Sequence, residues 1–139
     1  MSEDQTLDLD KLVSSRIERG VATVSLILEN KKLGDEEIIR LVEMEVLAEV
    51  THLELGENQI SDKGVSVLCN SPFTKNLKVL NLKSNKITET GAQFIAQAKN
   101  LTQLESLILK FKREYVCKYY IGKANFVQCE WVGVVNLAI

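Results

Sequence analysis

The sequence predicts an α/β fold, a solenoid in which strands and helices alternate along the chain. The pattern L-x-x-L-x-L-x-x-N-x-I occupies residues 77–87 of the 139 residues. It returns at residues 50–60 and, in part, at residues 23–33 and from residue 104, so the copies stand 27 residues apart. Leucines alternate with other residues in each copy, as a strand with one face in a core requires, and a helical apolar pattern follows the two central copies. A fixed period of this kind indicates stacked supersecondary units.

Composition places the chain among globular, single-domain proteins of the cytoplasm. Hydrophobic residues make up 45% and charged residues 26%, and no apolar run is long enough to cross a membrane. The acidic N-terminus lacks the apolar segment of a secretory signal. Three cysteines without C-x-x-C spacing predict neither a disulfide framework nor a zinc site. These features favour a reduced, intracellular location.

Charge is distributed unevenly along the chain. Residues 1–57 contain 14 acidic and 6 basic residues, whereas residues 58–139 contain 5 acidic and 11 basic residues. Sequence order is also spatial order in a solenoid, so the molecule is expected to have an acidic end and a basic end.

Residues 1–22 lie outside the repeats and are predicted to form an N-terminal capping helix. Leu9, Leu12, Val13 and Ile17 mark an amphipathic helix, which Gly20 is expected to end. A cap is needed because the first unit of a solenoid otherwise exposes its apolar cross-section. The alternative is that this segment is part of a longer upstream region.

The repeat array is predicted to span residues 23–112, with units starting near residues 23, 50, 77 and 104. A helix is expected from Asp35 to Leu47 in the first unit. In the two central units Ser61 and Thr88 are expected N-caps. Gly64 and Gly91 share one column, which indicates close packing of each helix on its neighbour.

The repeated Asn58 and Asn85 are predicted to be structural. Backbone groups lose their ladder partners where a strand ends, and an asparagine side chain offers both a donor and an acceptor to satisfy them. Binding of a ligand by these amides is the less favoured interpretation.

The tail, residues 113–139, shows no repeat pattern and holds five of the eight aromatic residues. One interpretation is a β-hairpin that turns near residues 122–125 and covers the end of the core. The other is an unrelated sequence joined to a truncated array. An apolar tail at an uncapped end is an aggregation hazard, and the exposed array end or this tail could also mediate oligomerisation.

The central units resemble ribonuclease-inhibitor-type leucine-rich repeats, since the strand pattern is followed by [ST]-x-x-G and a full helix. The resemblance implies a right-handed horseshoe with a parallel sheet on the concave face and helices on the convex face. It also implies a role in protein binding. Members of the subtype include cytosolic inhibitors and a Ran GTPase-activating protein, which contributes residues to its partner's active site.

The alternation of the strands predicts which residues form the concave, protein-binding face. Leu53 and Leu55 point into the core, so the residues between and beside them point outward. Charge along this face is expected to change from acidic to basic, although a merely solvated face is the simpler interpretation. The predicted protein-binding residues are Ser25, Ile27, Glu29, His52, Glu54, Glu57, Val79, Asn81, Lys83, Ser106, Ile108 and Lys110.

No catalytic, cofactor-binding or metal-binding site is predicted. His52 is the only histidine, which leaves no histidine pair for metal or acid–base chemistry, and no phosphate-binding glycine motif occurs. Cys69 shares a column with Ala96 and is interpreted as a core residue. The acidic net charge and the absence of a known module also argue against nucleic-acid binding.

The sequence therefore predicts a non-catalytic scaffold that binds a protein or peptide, with no cofactor. One alternative is a GTPase-activating or other enzyme-regulating protein. It is disfavoured because Arg40 lies on a predicted helix and Arg113 follows the last strand, so neither occupies a strand-to-helix loop. Another alternative is a truncated fragment of a longer repeat protein.

Overall fold

The computed structural model of the protein describes residues 8–111, 115–121, 126–129 and 137–138, with side chains described through residue 109. The helices in this part of the chain are α1 (Leu9–Arg16), α2 (Asp35–Leu41), α3 (Asp62–Asn70) and α4 (Glu89–Ala96), with a 3-10 helix at Glu45–Glu49. The strands are β1 (Ile17–Arg19), β2 (Val24–Ile27), β3 (His52–Glu54), β4 (Val79–Asn81), β5 (Ser106–Phe111), β6 (Tyr115–Ile121), β7 (Phe126–Cys129) and β8 (Leu137–Ala138). None of the described helices has the length and apolarity needed to cross a bilayer.

The strands form one sheet in chain order, β1 to β8. Strands β2 to β5 pair in parallel, and equivalent residues of successive repeats stand side by side, such as Leu26, Leu53 and Leu80. Strand β1 at one end and strands β6 to β8 at the other pair antiparallel. The parallel sheet predicted from the repeats is thus confined to the four central strands.

The core lies between the central strands and the helices. Leu26, Leu53, Leu80 and Leu107 are each fully buried, as are helix residues such as Leu41. Leucines at alternate strand positions face the core because successive side chains of a strand point to opposite sides. The predicted N-caps are confirmed, since the hydroxyls of Ser61 and Thr88 accept backbone N–H groups of their own helices. The predicted α/β repeat class is therefore confirmed.

The prediction that the first helix ends at Gly20 was wrong. Helix α1 ends at Arg16, and Ile17–Arg19 forms a strand that pairs antiparallel with β2. Ile17 pairs with Leu26 and packs against the core, while the Gly20 N–H donates to the Thr23 carbonyl at 2.7 Å and closes the turn. Pairing satisfies the backbone of β2 at this edge, which a continued helix would leave open.

The helix predicted from Asp35 to Leu47 is also shorter than expected. Helix α2 ends at Leu41, and a 3-10 helix follows at Glu45–Glu49. Leu47 and Val50 are both fully buried. With three residues per turn, a 3-10 helix brings residues three positions apart to the same side, which places both side chains in the core before β3 begins.

The tail continues the sheet in the residues that the structure describes. Strand β6 pairs antiparallel with β5, and β7 pairs antiparallel with β6 through Ile121 and Val127. The turn predicted near residues 122–125 lies outside the described residues. Whether the tail is a native cap or a joined sequence stays a prediction.

Candidate protein-binding face

Two asparagine side chains, Asn58 and Asn85, hydrogen-bond their strand-to-helix turns to the preceding repeat. Asn58, only 7% exposed, accepts the N–H groups of Lys31 and Leu33 at 3.0 and 3.1 Å. Its amide donates to the carbonyls of Leu28, Leu55 and Gly56 at 2.9–3.1 Å. The side chain satisfies five backbone groups of two repeats, so its predicted structural role is confirmed.

Asn85 repeats this arrangement one unit later. Its oxygen accepts the Ile60 N–H at 3.0 Å, and its amide donates to the carbonyls of Leu55 and Leu82. Both asparagines direct their side-chain oxygen and amide nitrogen to backbone groups, which fits a structural role better than ligand binding.

An aspartate column links the helices, and the sequence reasoning missed it. Asp35, at the start of α2, accepts the N–H groups of Ser61 and Gly64 at 2.8 and 3.1 Å, and also the Ser61 hydroxyl. Asp62 binds Thr88 in the same way. A carboxylate at the positive end of the next helix is stabilising. The sequence feature that could have revealed this column is the 27-residue spacing of Asp35 and Asp62, which equals the repeat period.

This column explains the paired glycines. A Cβ atom at Gly64 would lie 2.5 Å from Asp35 Oδ1 and 2.9 Å from Ile60 Cγ2, and Gly91 is equally close to Asp62 and Ile87. The predicted close packing at these positions is confirmed, and the neighbour in contact is the aspartate of the preceding helix.

The outward side of β2 to β5 forms an open sheet face, which we define by eight strand residues opposite the core. Ladder register places them in two rows that cross the strands, and all eight are half-buried. The rows are Ser25, His52, Val79 and Ser106, and beside it Ile27, Glu54, Asn81 and Ile108. The structure therefore brings these eight predicted residues together.

Charged side chains border the open sheet face at the carboxyl ends of the strands. Glu29, Glu57 and Lys83 are exposed there, and the Lys110 side chain lies outside the described part of the chain. Glu57 has a left-handed φ of 57°, like Asn30 and Ser84 at equivalent turns. Its N–H donates to the Lys83 carbonyl at 2.8 Å, so the turn is tied to the following repeat.

One polar contact on the open sheet face connects neighbouring strands, and two others lie within a single repeat. Asn81 Nδ2 donates to Glu54 Oε2 at 2.8 Å, while Asn81 Oδ1 accepts the Lys83 N–H at 3.0 Å. Thr51 Oγ1 lies 2.9 Å from His52 Nδ1. These bonds orient the Glu54 and Asn81 side chains without covering them.

Strand β1 adds a residue that the sequence reasoning did not assign to this face. Glu18 pairs with Ser25 and is exposed. Paired residues point to the same side of a sheet. Glu18 therefore extends the row that begins with Ser25 and adds a negative charge at that end. The alternation of Ile17, Glu18 and Arg19 was the available signal.

We searched the described residues for metal ligands, an activated nucleophile and a suitably placed arginine. They contain no group of three or more His, Cys, Asp or Glu side chains that could hold a metal ion. Burial raises the pKa of the Cys69 thiol to about 12, so the thiolate that a nucleophile requires is scarce at neutral pH. Arg40 lies on α2 rather than in a strand-to-helix loop, and Arg113 is outside the described residues.

Comparison with known proteins agrees with this geometry. The family model for the leucine-rich repeat matches residues 50–69 and 75–96, the two central units. No curated protein matches the chain. The match confirms the leucine-rich repeats predicted for the two central units.

Proposed function

We propose that this leucine-rich repeat protein is a non-catalytic interaction module that binds a protein or peptide through its open sheet face. The observation that carries the proposal is the pair of side-chain rows on β2 to β5. Eight half-buried residues from four repeats lie on one side of the sheet, opposite a core that is fully packed. Leucine-rich repeats generally mediate protein–protein interaction, which supports this assignment.

The size of the face favours a small partner. Strands β2 to β5, about 4.8 Å apart, give the open sheet face a width of about 15 Å within the eight-stranded sheet. A stable protein interface usually buries about 800 Å² on each partner. A peptide, or a small patch of a protein, fits these dimensions better, and the affinity is expected to be modest.

Charge is the main source of selectivity in this proposal. Glu18, Glu29 and Glu57 lie at the β1–β3 side and Lys83 lies at the β4 side. Lys110, on β5, extends the basic side in the sequence. A partner with the opposite gradient would be steered into one orientation, because electrostatic complementarity acts on association rate and register.

The same proposal includes the finer architecture. Residues 23–112 form a right-handed solenoid of the ribonuclease-inhibitor-like subtype, whose sheet is concave. Support comes from the parallel ladder, where Ser25, His52, Val79 and Ser106 pair in succession at a spacing of 27 residues. Residues 1–22 act as the N-terminal cap, in keeping with the burial of Leu9 and Val13. Residues 113–139 form the non-repeat C-terminal tail, a cap or hairpin at the end of the array.

The test is an affinity enrichment from host lysate with three proteins as bait. The first is the native chain, and the second carries Glu29→Lys, Glu57→Lys and Lys83→Glu. The third, a matched control, carries Glu36→Lys, Glu43→Lys and Lys63→Glu, an equal change of net charge at exposed positions on or beside α2 and α3. Quantitative mass spectrometry compares the retained proteins.

A partner retained by the native chain and the control but lost from the face variant supports the proposal. Retention by the face variant and loss from the control would place binding on the helices instead. Circular dichroism must show that all three baits are equally folded, since every substituted side chain is exposed.

A further inference from the structure

A groove lies where the N-terminal segment meets the 3-10 helix of the first repeat. We call it the cap groove, and its apolar walls are Val13 and Ile17 on one side and Met44 and Val46 on the other. Its volume of about 560 Å³ falls within the range of roughly 300–1,000 Å³ typical of ligand sites. Ile17 pairs with the core residue Leu26, so the groove is on the helix side of the sheet, opposite the open sheet face.

The groove exists because the first repeat lacks a contact that closes the next junction. In the second repeat, Ser71 Oγ donates to the Val42 carbonyl of the preceding unit at 2.7 Å. Met44 stands 27 residues earlier, at the equivalent position, and its side chain has no donor. Within the described residues, the Arg19–Glu49 ion pair is the one side-chain hydrogen bond that joins the N-terminal segment to the 3-10 helix.

The walls of the cap groove present apolar surface to a partner. Ile17, Met44 and Val46 are half-buried and pack against the core, whereas Val13 is only 3% exposed and forms the floor. Methionine has a flexible, polarisable side chain that adapts to apolar partners of different shape. The groove is therefore suited to apolar side chains rather than to a polar ligand.

Two carboxylates give the rim of the groove a negative charge. Asp10 and Glu45 are exposed, and neither carboxylate has a hydrogen-bond or ion-pair partner among the described residues. Arg19, which also borders the groove, is already paired with Glu49. The charges left for a partner are thus both negative, and the complementary partner is cationic.

We propose that the cap groove binds an amphipathic basic segment of a partner protein. The apolar side chains of that segment fill the space between the four wall residues, and its lysine or arginine side chains pair with Asp10 and Glu45. The groove is a second interaction surface, separate from the open sheet face.

Two other occupants are possible in principle. The preceding segment of this chain, residues 1–7, contains Glu3 and Asp4 but no lysine or arginine, so its side chains repeat the charge of the rim. A second copy of the chain is the other candidate, because residues 58–139 have an excess of basic residues. Self-association depends on the concentration of the chain alone, which separates it from binding of a partner segment.

The test is an NMR titration of the full chain labelled with [¹³C-methyl]methionine. The chain contains two methionines, Met1 and Met44, so one of two signals reports on the groove, and Met44→Leu assigns it. The probe is the peptide acetyl-KQLKQLLKQLKQ-amide, whose leucines stand at helical positions i, i+3, i+4 and i+7. One control peptide has glutamate in place of lysine, and the other has serine in place of leucine.

We expect the probe to shift the Met44 signal saturably and the glutamate peptide to leave it unchanged. The serine peptide should bind at least roughly tenfold more weakly, because it has no apolar side chains to bury. Titration of the unlabelled chain into the labelled chain, without peptide, should not move the signal.

The decisive variant combines Asp10→Asn with Glu45→Gln, which removes the rim charge and keeps the side-chain shapes. Probe binding should weaken roughly fivefold, since two exposed ion pairs are lost. The matched control combines Glu29→Gln with Glu57→Gln, an equal loss of charge at exposed positions of the open sheet face. Its affinity for the probe should stay within about twofold of the native value, because distant exposed charges are screened.

The proposal is overturned if the probe leaves the Met44 signal unchanged, if the glutamate peptide shifts it equally, or if the two double variants bind the probe with the same affinity. A Met44 shift that follows the concentration of the chain alone would assign the groove to a second copy and overturn it as well. The function proposed for the open sheet face is tested separately, by the lysate enrichment.

Discussion

The strand-to-helix turns and the open sheet face use polar residues in opposite ways. At the turns, Asn58 makes five hydrogen bonds to the backbone of two repeats and is almost fully buried. On the sheet face, Glu29 is exposed and has no partner among the described residues. Polar groups that hold repeats together are saturated internally, whereas those available to a partner retain unused hydrogen-bonding capacity.

The largest effect expected from this comparison is that of Asn58→Ala. Removing the side chain leaves buried N–H groups of Lys31 and Leu33 and three carbonyls without partners. We expect the free energy of unfolding to fall by about 3 kcal/mol, measured by urea denaturation. The control is Asn70→Ala, which removes one exposed bond to Ser66 and should change it by less than about 1 kcal/mol. Equal effects would contradict the distinction.

Gly64→Ala tests the aspartate column and should lower the free energy of unfolding by about 2 kcal/mol, because its Cβ overlaps the Asp35 carboxylate. In an Asp35→Ala background the penalty should be at least halved, a coupling that a double-mutant cycle measures. Gly56→Ala is the matched control on the sheet face and should be neutral or slightly stabilising. Additive effects of the two substitutions would show that the contact does not explain Gly64.

Glu57→Asn should raise the free energy of unfolding by about 0.5 kcal/mol. Glu57 adopts a φ of 57°, a conformation that asparagine tolerates better than glutamate does. Ser84→Asn, at the equivalent turn with a φ of 58°, should have the same sign. Thermal denaturation of both variants measures the effect, and a lower melting temperature for both would contradict the role of backbone strain.

The smallest effect expected is that of Glu29→Gln on stability. Because this carboxylate is exposed and has no partner among the described residues, the free energy of unfolding should change by no more than about 0.5 kcal/mol. A large loss of stability would show that Glu29 belongs with the structural turn residues rather than with the binding face.

The sequence anticipated the repeat interior better than its ends. The 27-residue period placed Leu53 and Leu80 in the core and Asn58 at the turn, since identical local patterns meet identical surroundings in stacked units. No such repetition constrains the ends. The sequence pattern at Ile17–Arg19 predicts the end of a helix. These residues nevertheless form a strand, because the edge of β2 needs a hydrogen-bonding partner.

The sequence by itself determined the repeat class, the core leucines and the eight residues that share the open sheet face. These follow from periodicity, which acts over neighbouring residues and needs no knowledge of distant contacts. Only the tertiary structure decided why Gly64 must lack a side chain and why Gly56 need not. The reason is spatial: Asp35, 29 residues away in the chain, would overlap a Cβ atom at Gly64, whereas Glu29, Asn81 and Lys83 would meet one at Gly56 at ordinary contact distance. Neither of these distances can be read from the sequence.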